Sequence, residues 1–217
     1  MTDFFTFAWT YLPYLAKGLV ITAELTGLAF VGSCVLGLLG AMAKGSKHTP
    51  LRYIGNIYVE VMRGTPALLQ IFVIYFGLAS YGVRLDPFSA AVITLSVLGG
   101  AYVTEIIRAG IEAVDRGQIE AAISLAMTPA QIMRRIILPQ ASLIILPPFT
   151  NYLISLIKDT SLALTISVPE IMYRSYDVAS QTFRSMDIYV VAGLIYLAIC
   201  FPLSRLSRWL ELKRPPR

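Results

Sequence analysis

Long uncharged runs constrain this chain more than any other feature of its sequence. The clearest run covers residues 25–43, where no Asp, Glu, Lys or Arg occurs. A helix of this length can cross the hydrocarbon core of a bilayer, and it satisfies its own backbone hydrogen bonds there. Only 14% of the residues are charged, against about a quarter in soluble domains. The sequence therefore predicts an all-α integral membrane protein.

Five predominantly apolar runs divide the chain into predicted membrane spans. No internal repeat and no long linker separates them, so we predict a single transmembrane domain over residues 1–217. Four glycines in the first span would let a neighbouring helix pack closely, namely Gly27, Gly32, Gly37 and Gly40. The five predicted spans are residues 18–43, 54–81, 88–107, 136–157 and 188–204.

Basic residues cluster beside the spans and predict an orientation. Cytosolic loops of membrane proteins carry an excess of Lys and Arg. We therefore expect an amino terminus outside the cell and a carboxyl terminus in the cytosol. The net charge is +5, but no basic–aromatic array of the kind that binds nucleic acid is present, so we predict no nucleic-acid partner. The clusters assigned to the cytosol are Lys44, Lys47 and Arg52 in one loop, and Arg205, Arg208, Lys213, Arg214 and Arg217 in the tail.

Residues that could support covalent chemistry or metal binding are scarce. Cys34 and Cys200 each lie inside an apolar run, which favours a packing role. His48 is the only histidine, so we predict no metal site. No nucleophile–base pair and no phosphate-binding glycine loop is found. We therefore predict that the chain is not an enzyme.

The stretch from Glu120 to Gln140 differs from the rest, because it is a sizeable interior segment suited to water. Apolar Ile119, Ile123 and Met127 recur every four residues, which on a helix makes one apolar stripe with Ala122 and Ala126 beside it. We predict this helix over residues 119–127. Thr128-Pro129 predicts the start of a second helix, and Leu138-Pro139 predicts its interruption. The spacing leaves two readings open: a helix lying on the membrane surface, or a surface that docks into a groove of a soluble subunit.

A specific motif lies within this stretch. Glu120-Ala121-Ala122, a small residue at Ala126 and the pair Leu138-Pro139 together resemble the coupling-helix signature of ABC importer permeases. The resemblance implies that these six residues contact an ATPase subunit. The family usually has glycine at the position of Ala126, and alanine lacks the freedom of glycine to adopt a positive φ.

Four stretches across nearly the whole chain resemble permeases of the polar amino acid family of ABC importers, nearest the cystine and polar amino acid branch. Together they are specific, although any one alone would be weak. They are residues 63–66 (RGTP), 101–111 (AYVTEIIRAGI), 117–122 (GQIEAA) and 156–162 (LIKDTSL).

The resemblance implies a type I importer permease with a cytosolic coupling helix, in the bacterial cytoplasmic (inner) membrane. Two permease copies, or this chain and a paralogue, would pair in the bilayer. Two ATPase subunits would bind ATP and Mg²⁺, so that this chain holds no cofactor. An external solute-binding protein would deliver a polar amino acid, which crosses by alternating access. The alternatives are the same architecture for an opine or organic ion, an ATP-independent channel or carrier, and a membrane anchor or signalling subunit.

Ionisable and polar residues inside the spans are candidates for a solute pathway. Glu105 and Arg108 share one face of the third span. In a structural role, they would pair with each other or with Arg63. In a functional role, Glu105 would contact the amino group of a solute or set a gate. Asn151, Ser155 and Asp159 lie four residues apart and form a polar stripe, either for helix–helix hydrogen bonds or lining the pathway.

The third span also departs from the family pattern. Many relatives have asparagine and then small polar residues before the Ala-Tyr pair, where this chain has Leu98, Gly99 and Gly100. Either the two glycines expose backbone groups, or the binding protein sets specificity, or this chain is the passive half of a heterodimer. The full candidate pathway set is Arg63, Gly99, Gly100, Tyr102, Glu105, Arg108, Asn151, Ser155 and Asp159.

Overall fold

The computed structural model describes residues 3–212, and every regular element in that range is helical. The predicted cytosolic residues Lys213, Arg214 and Arg217 lie outside the described part. The helices are α1 (Phe4–Lys44), α2 (Thr49–Gly64), α3 (Ala67–Ser80), α4 (Pro87–Glu112), α5 (Arg116–Ser124), α6 (Pro129–Ile166), α7 (Ile171–Thr182) and α8 (Ser185–Leu212). Within them, Val73–Gly77 and Met133–Ile137 are π-helical turns and Thr160–Ile166 is a 3₁₀ segment.

Four of the described helices, α1, α4, α6 and α8, are long and apolar enough to cross a membrane, and the bent α2–α3 pair makes a fifth crossing if it counts as one span. The helices extend beyond the predicted spans at most of their ends, most of all in α1, which begins at Phe4 rather than near residue 18. The apolar runs therefore indicate the crossings, while the flanking turns continue as helix outside them.

The second predicted span, residues 54–81, is not continuous. Its two halves meet at an angle of 107° between Gly64 and Ala67. Thr65 is extended, with φ −117° and ψ 147°, as expected for a residue before proline. Because Pro66 has no N–H and its ring cannot follow a helical residue without strain, the helix ends there and restarts.

Small residues hold α1 against α4. A Cβ at Gly32, Gly37 or Gly40 would overlap the side chains of Ser96, Val103 and Thr104 respectively, whereas Gly27 faces open space. In these contact pairs the residue numbers increase together along both helices, so α1 and α4 run parallel. The close packing predicted for the first span is therefore confirmed at three of its four glycines.

Three apolar clusters stabilise the bundle. The central one joins α1, α4 and α6 through residues such as Leu25, Leu95 and Leu156. A second joins the first half of α1 to α7 and α8. The third, which contains Val114, Ala122, Ile132, Ile137 and Ala141, fixes α5 to the start of α6. The end of the bundle that carries α5 is called here the α5 end.

Leu138-Pro139 does not interrupt the helix as predicted. The π-helical turn Met133–Ile137 precedes the pair, and α6 then continues from Leu138 without a break. A proline removes the N–H that the carbonyl four residues earlier would accept. The wider turn accommodates this loss, because its hydrogen bonds reach one residue further along the chain.

Candidate functional site

A cavity of about 510 Å³ lies between α4 and α6. Five of the nine predicted pathway residues line it: Gly99, Tyr102, Asn151, Ser155 and Asp159. The other lining residues are Leu95, Leu98, Ile106, Pro148, Tyr152 and Leu156. The α4 wall is mostly apolar and aromatic, while the polar groups come mainly from α6.

The polar stripe on α6 lines the cavity and also makes a helix–helix hydrogen bond. Asn151 Oδ1 accepts a hydrogen bond of 2.8 Å from Ser207 Oγ on α8, so Asn151 also joins two helices. The side chain of Ser155 is exposed to the cavity and that of Asp159 is half-buried. Asp159 has no salt bridge within residues 3–212. It thus contributes to the cavity a carboxylate that is not held in a salt bridge.

The two glycines of α4 make room for tyrosines. A Cβ at Gly99 would overlap Tyr152 Oη, which donates a hydrogen bond of 2.7 Å to Ser33 Oγ. A Cβ at Gly100 would lie 2.5 Å from the hydroxyl of Tyr58. Gly100 faces α1 and α2 and is absent from the cavity lining, so only Gly99 of the two lies at the cavity.

An ion-pair network lies beside Tyr102 at the α5 end of the cavity. Glu105 forms a salt bridge of 2.6 Å with Lys44 at the end of α1, and a second of 3.7 Å with Arg63 at the end of α2. The Arg63 guanidinium also lies over the Tyr102 ring, 5.4 Å from its centroid. These four residues, Lys44, Arg63, Tyr102 and Glu105, are called here the cation–carboxylate cluster.

The predicted pairing of Glu105 with Arg108 is wrong. Arg108 pairs instead with Glu112 one turn further along α4, at 2.5 Å, and it does not line the cavity. The pair of Glu105 with Arg63 is confirmed. Sequence reasoning missed Lys44, because its contact depends on the parallel register of α1 and α4. The glycines that set this register were the available signal.

The helix predicted over residues 119–127 spans Arg116–Ser124 instead. Asp115 starts it by accepting hydrogen bonds of 2.7 and 3.3 Å from the N–H groups of Gly117 and Gln118. The second helix begins as predicted at Thr128-Pro129, where Thr128 and Gln131 exchange capping hydrogen bonds. Sequence reasoning did not find the Asp115 cap, although an aspartate before a helical run is a usual signal.

The turn that ends α5 has a defined geometry. Ala126 adopts a left-handed conformation with φ 55°. Its N–H donates to Ile123 O at 2.9 Å and the N–H of Met127 donates to Ala122 O at 3.1 Å. These two hydrogen bonds form a Schellman motif, for which glycine is the usual residue. This turn therefore keeps the left-handed geometry that glycine usually provides, although alanine occupies the position. The replacement of glycine by alanine argued against this geometry.

The apolar stripe of α5 is divided between two directions. Ala122 is only 2% exposed and packs with Ile119 and Met127 in the cluster at the start of α6. Ile123 and Leu125 are 60% and 77% exposed. The prediction that Ala122 offers a contact surface is therefore wrong, because its side chain is buried within this chain. The predicted residues that remain accessible are Glu120, Ala121, Ala126, Leu138 and Pro139.

A buried carboxyl group outside the cavity was also missed. Glu170 is fully buried before α7, where it accepts hydrogen bonds from the N–H groups of Met172 and Tyr173 at 2.8 and 2.7 Å. The Tyr196 hydroxyl donates a third, at 3.0 Å. Burial raises the pKa of Glu170 to about 7. Glu170 is therefore the capping residue of α7.

Comparison with known proteins shows close relatives over the whole chain. The family described as "binding-protein-dependent transport system inner membrane component" matches residues 33–214. The chain is 42% identical to the L-cystine transport system permease protein of Bacillus subtilis, over 93% of this chain and 87% of that protein. It is 35% identical to the glutamine transport system permease protein of Escherichia coli, over 94% of each.

A solved structure supports the same grouping. A structure titled "Crystal structure of an amino acid ABC transporter with histidines" superposes with a TM-score of 0.93 and 38% identity, over 98% of this chain and 99% of that one. An inward-facing form of a methionine ABC transporter shares the fold, with a TM-score of 0.73 at 19% identity over 97% and 99% of the two chains. The chain therefore belongs to the family of binding-protein-dependent transport system inner membrane components, and it has the type I fold of ABC importer permeases.

Proposed function

We propose that this chain carries a polar amino acid through the membrane as the permease subunit of an ATP-driven importer. The observation that carries the proposal is the cavity between α4 and α6. Its volume of about 510 Å³ lies within the range of small-molecule sites, and it combines a carboxylate, an amide and a hydroxyl with aromatic walls. The relatives named for cystine and glutamine transport support this solute class.

The solute-binding roles follow from the charges. Asp159 lines the cavity without a salt-bridge partner in the described residues, so it would bind the ammonium group of an amino acid. Ser155 and Asn151 would add neutral hydrogen bonds, and the faces of Tyr102 and Tyr152 would contact the carbon skeleton. Asp159 is the only charged residue of the lining. This disfavours the alternative of an organic anion, whereas a cationic opine would still fit.

The cation–carboxylate cluster would form the cytosolic gate of this cavity. Arg63 covers Tyr102 and pairs with Glu105, so the end of α2 lies against the cavity wall at the α5 end. Separation of α2 from α4 would break both contacts and open the cavity in that direction. Alternating access requires such a contact, which one state makes and the other loses.

Coupling to ATP would occur at the exposed side of α5 and the turn that follows it. Ile123 and Leu125 project from this side next to the accessible Glu120 and Ala121, as suits a surface that fits an apolar groove. We propose that two ATPase subunits, which bind ATP and Mg²⁺, contact it in the cytosol. This surface argues against an ATP-independent channel or carrier, which would have no use for it.

The complete importer would contain two copies of this chain, or this chain and a paralogue, with an external solute-binding protein opposite the ATPases. We propose that the α5 end faces the cytosol of a bacterial inner membrane and that the amino terminus lies outside, because the excess of basic residues in the loop and tail sequences favours this orientation. The chain itself would bind no cofactor.

Reconstitution tests the solute assignment. The chain is assembled with its ATPase and binding protein in proteoliposomes, and ATP-dependent uptake of each proteinogenic amino acid and of cystine is measured. We expect uptake of one or a few, with KM raised at least about tenfold by Asp159→Asn, because a hydrogen-bonded charge is lost. Uptake with an unchanged KM in Asp159→Asn would contradict the role of Asp159. No uptake by an assembled complex would contradict the amino acid assignment.

A second experiment tests the coupling surface. Leu125→Glu and Glu120→Arg each change the polarity or charge of the exposed face without altering a buried residue. We expect one of two results: an assembled complex that hydrolyses ATP without solute uptake, or a complex that no longer holds the ATPase. Arg116→Ala is the control, because it also changes a charge on α5 but at the opposite end of the helix. Normal uptake in both test variants would contradict the docking surface.

A further inference from the structure

The bend between α2 and α3 leaves the carbonyls in the last turn of α2 without helical partners, and that of Met62 is one of them. In a continuous helix, the carbonyl of Met62 would accept the N–H of residue 66. That residue is Pro66, which has no N–H. The Met62 carbonyl belongs to the residue immediately before Arg63, so whatever satisfies it also determines where the end of α2 lies.

The side chain of Gln70 supplies the missing donor. Its Nε2 donates to Met62 O at 2.8 Å, to Thr65 O at 3.2 Å and to Thr65 Oγ1 at 2.8 Å. Gln70 belongs to the first turns of α3 and is only 8% exposed. One amide group therefore reaches back across the bend from α3 and holds the last turn of α2. The hydroxyl of Thr65 donates in turn to Val61 O at 2.9 Å.

Arg63 depends on this arrangement for its contacts. Its guanidinium lies 5.4 Å from the centroid of Tyr102, which lines the cavity, and 3.7 Å from the Glu105 carboxylate. The side chain of Arg63 is 45% exposed and has no other salt bridge among the described residues. The hydrogen bond from Gln70 to the preceding carbonyl holds the backbone beside Arg63 from the side of α3.

The neighbouring glycine points to movement at the same place. Gly64 has no positive φ, and a Cβ added to it would meet nothing within 4 Å. Neither close packing nor backbone conformation requires glycine in this state. A glycine in the last turn of a helix nevertheless eases a change of its backbone angles, and Gly64 lies between Arg63 and Thr65, one of the two residues that Gln70 holds.

We infer that Gln70 is a positioning residue for the cytosolic gate, because its amide locks the α2–α3 bend and so holds Arg63 against Tyr102 and Glu105. This inference rests on the proposed gate and goes beyond it, since it names the group that stabilises the closed position. Release of the Gln70 hydrogen bonds frees the last turn of α2 to swing about Gly64. The closed-to-open equilibrium of the cavity then shifts towards the open side.

Accessibility of the cavity measures this equilibrium without knowledge of the solute. Ser155, which lines the cavity, is replaced by cysteine in a chain whose Cys34 and Cys200 have been changed to serine. The full complex is placed in inside-out vesicles without ATP. The rate at which a membrane-impermeant cationic methanethiosulfonate modifies the new cysteine from the cytosolic side reports the open fraction.

Gln70→Leu is the test variant, because leucine keeps the volume and removes the donor. We expect modification about tenfold faster, because the part-buried Met62 carbonyl loses its hydrogen-bond donor. Ser80→Ala is the control, since Ser80 also donates a side-chain hydrogen bond to a backbone carbonyl but lies at the other end of α3 from the bend; it should leave the rate unchanged. An unchanged rate in Gln70→Leu, with a complex that assembles, would overturn the inference.

A second variant separates positioning from a general loss of structure. If Gln70 acts through Arg63, Gln70→Leu adds nothing to the rate of an Arg63→Gln chain. If the effects of Gln70→Leu and Arg63→Gln on the modification rate multiply in the double variant, the inference is refuted. If Arg63→Gln alone leaves the rate unchanged, the gate in the proposed function fails, which is a separate result.

Pro66→Ala covers the case in which Gln70→Leu does not assemble. The alanine restores an N–H at position 66 that can bond the Met62 carbonyl directly, so assembly should recover in Pro66→Ala/Gln70→Leu, and the double variant should keep the slow modification rate. Failure of the double variant to assemble would refute the role of Gln70 as the substitute donor.

Discussion

Replacing Ala126 by glycine should stabilise the turn that ends α5. The alanine has a left-handed backbone with φ 55°, which for a residue with a Cβ costs about 1–2 kcal/mol. Glycine removes this cost but gives the unfolded chain more freedom, which offsets about 0.4–1 kcal/mol. The expected net gain is about 1 kcal/mol. The geometry that causes the strain is fixed by the hydrogen bonds from Ala126 and Met127 to Ile123 and Ala122.

Hydrogen exchange measures this gain where it occurs. The amides of Leu125, Ala126 and Met127 are all hydrogen-bonded in the turn, so their exchange requires local opening. A gain of about 1 kcal/mol slows that exchange about fivefold. Mass spectrometry of peptides from the assembled complex, with and without Ala126→Gly, compares the rates directly.

Ala121→Gly is the matched control, because it is the same chemical change on an exposed site of the same helix. Ala121 lies inside α5 with helical backbone, where glycine costs about 1 kcal/mol. The two substitutions should therefore move the exchange rates in opposite directions. Faster exchange in both variants would refute the left-handed turn at Ala126 and the reasoning built on it.

Four further predictions test other parts of the molecule. Ala122→Trp should lower the yield of folded chain, because the indole does not fit a site that is 2% exposed; size-exclusion profiles of the solubilised complex would show it, and a normal profile would contradict the burial. Glu105→Gln should reduce uptake per assembled complex more than it reduces assembly, at a stability cost of about 1–2 kcal/mol, because the side chain is 35% exposed and partly screened; equal loss of both would favour a purely structural ion pair. The pKa of Glu170 is about 7 in the folded chain, against an ordinary value of 4.5, so the free energy of unfolding should fall by about 3 kcal/mol as the pH rises through that window. The melting temperatures at about pH 5 and about pH 8 should therefore differ less in Glu170→Gln than in the unmodified chain. Ser207→Ala should raise the ATP hydrolysed per solute moved, since Ser207 joins α8 to α6, whereas Ser204→Ala, which loses only a bond within its own helix, should not.

The sequence predicted the parts of the fold that depend on local signals. Uncharged runs indicated the membrane crossings because length and polarity alone decide them. Thr128-Pro129 indicated a helix start because both residues act on their own turn. The four-residue spacing of Asn151, Ser155 and Asp159 indicated a shared face, and all three residues line one cavity.

The contacts that the sequence did not predict depend on how helices lie against each other. Glu105 has a cation three residues away at Arg108, yet its salt bridges go to Lys44 and Arg63 on other helices. That choice follows from the register of α1 on α4, which small residues set along the whole interface. Periodicity likewise grouped Ala122 with Ile123, but only the position of α6 determines which of the two is buried.

The bend at Pro66 lies between these two cases. The extended backbone of Thr65 follows from the proline that comes after it. The angle and the donor that satisfies the freed carbonyl depend on Gln70, which lies four residues beyond the proline. A glutamine at that distance has no general meaning in a sequence. It gains one only when a carbonyl is known to lack its partner.

The continuity of α6 explains how events at α5 could reach the cavity. Ala122 on α5 packs against Ile137 and Ala141 at the start of α6, and Gln118 and Gln140 are hydrogen-bonded across the same contact. From Ala141 to Asp159 the helix extends about 27 Å, so displacement at one end arrives at the polar stripe if the helix between them is stiff. Pro147 and Pro148 weaken it midway. The Ser207 hydroxyl contacts both the Pro147 carbonyl and Asn151 there, which fastens the weakened stretch to α8. The two helices α6 and α8 would then move as one body. The residues on α6 that are proposed to bind solute would follow the movement of the coupling surface on α5 rather than that of the α2–α3 bend.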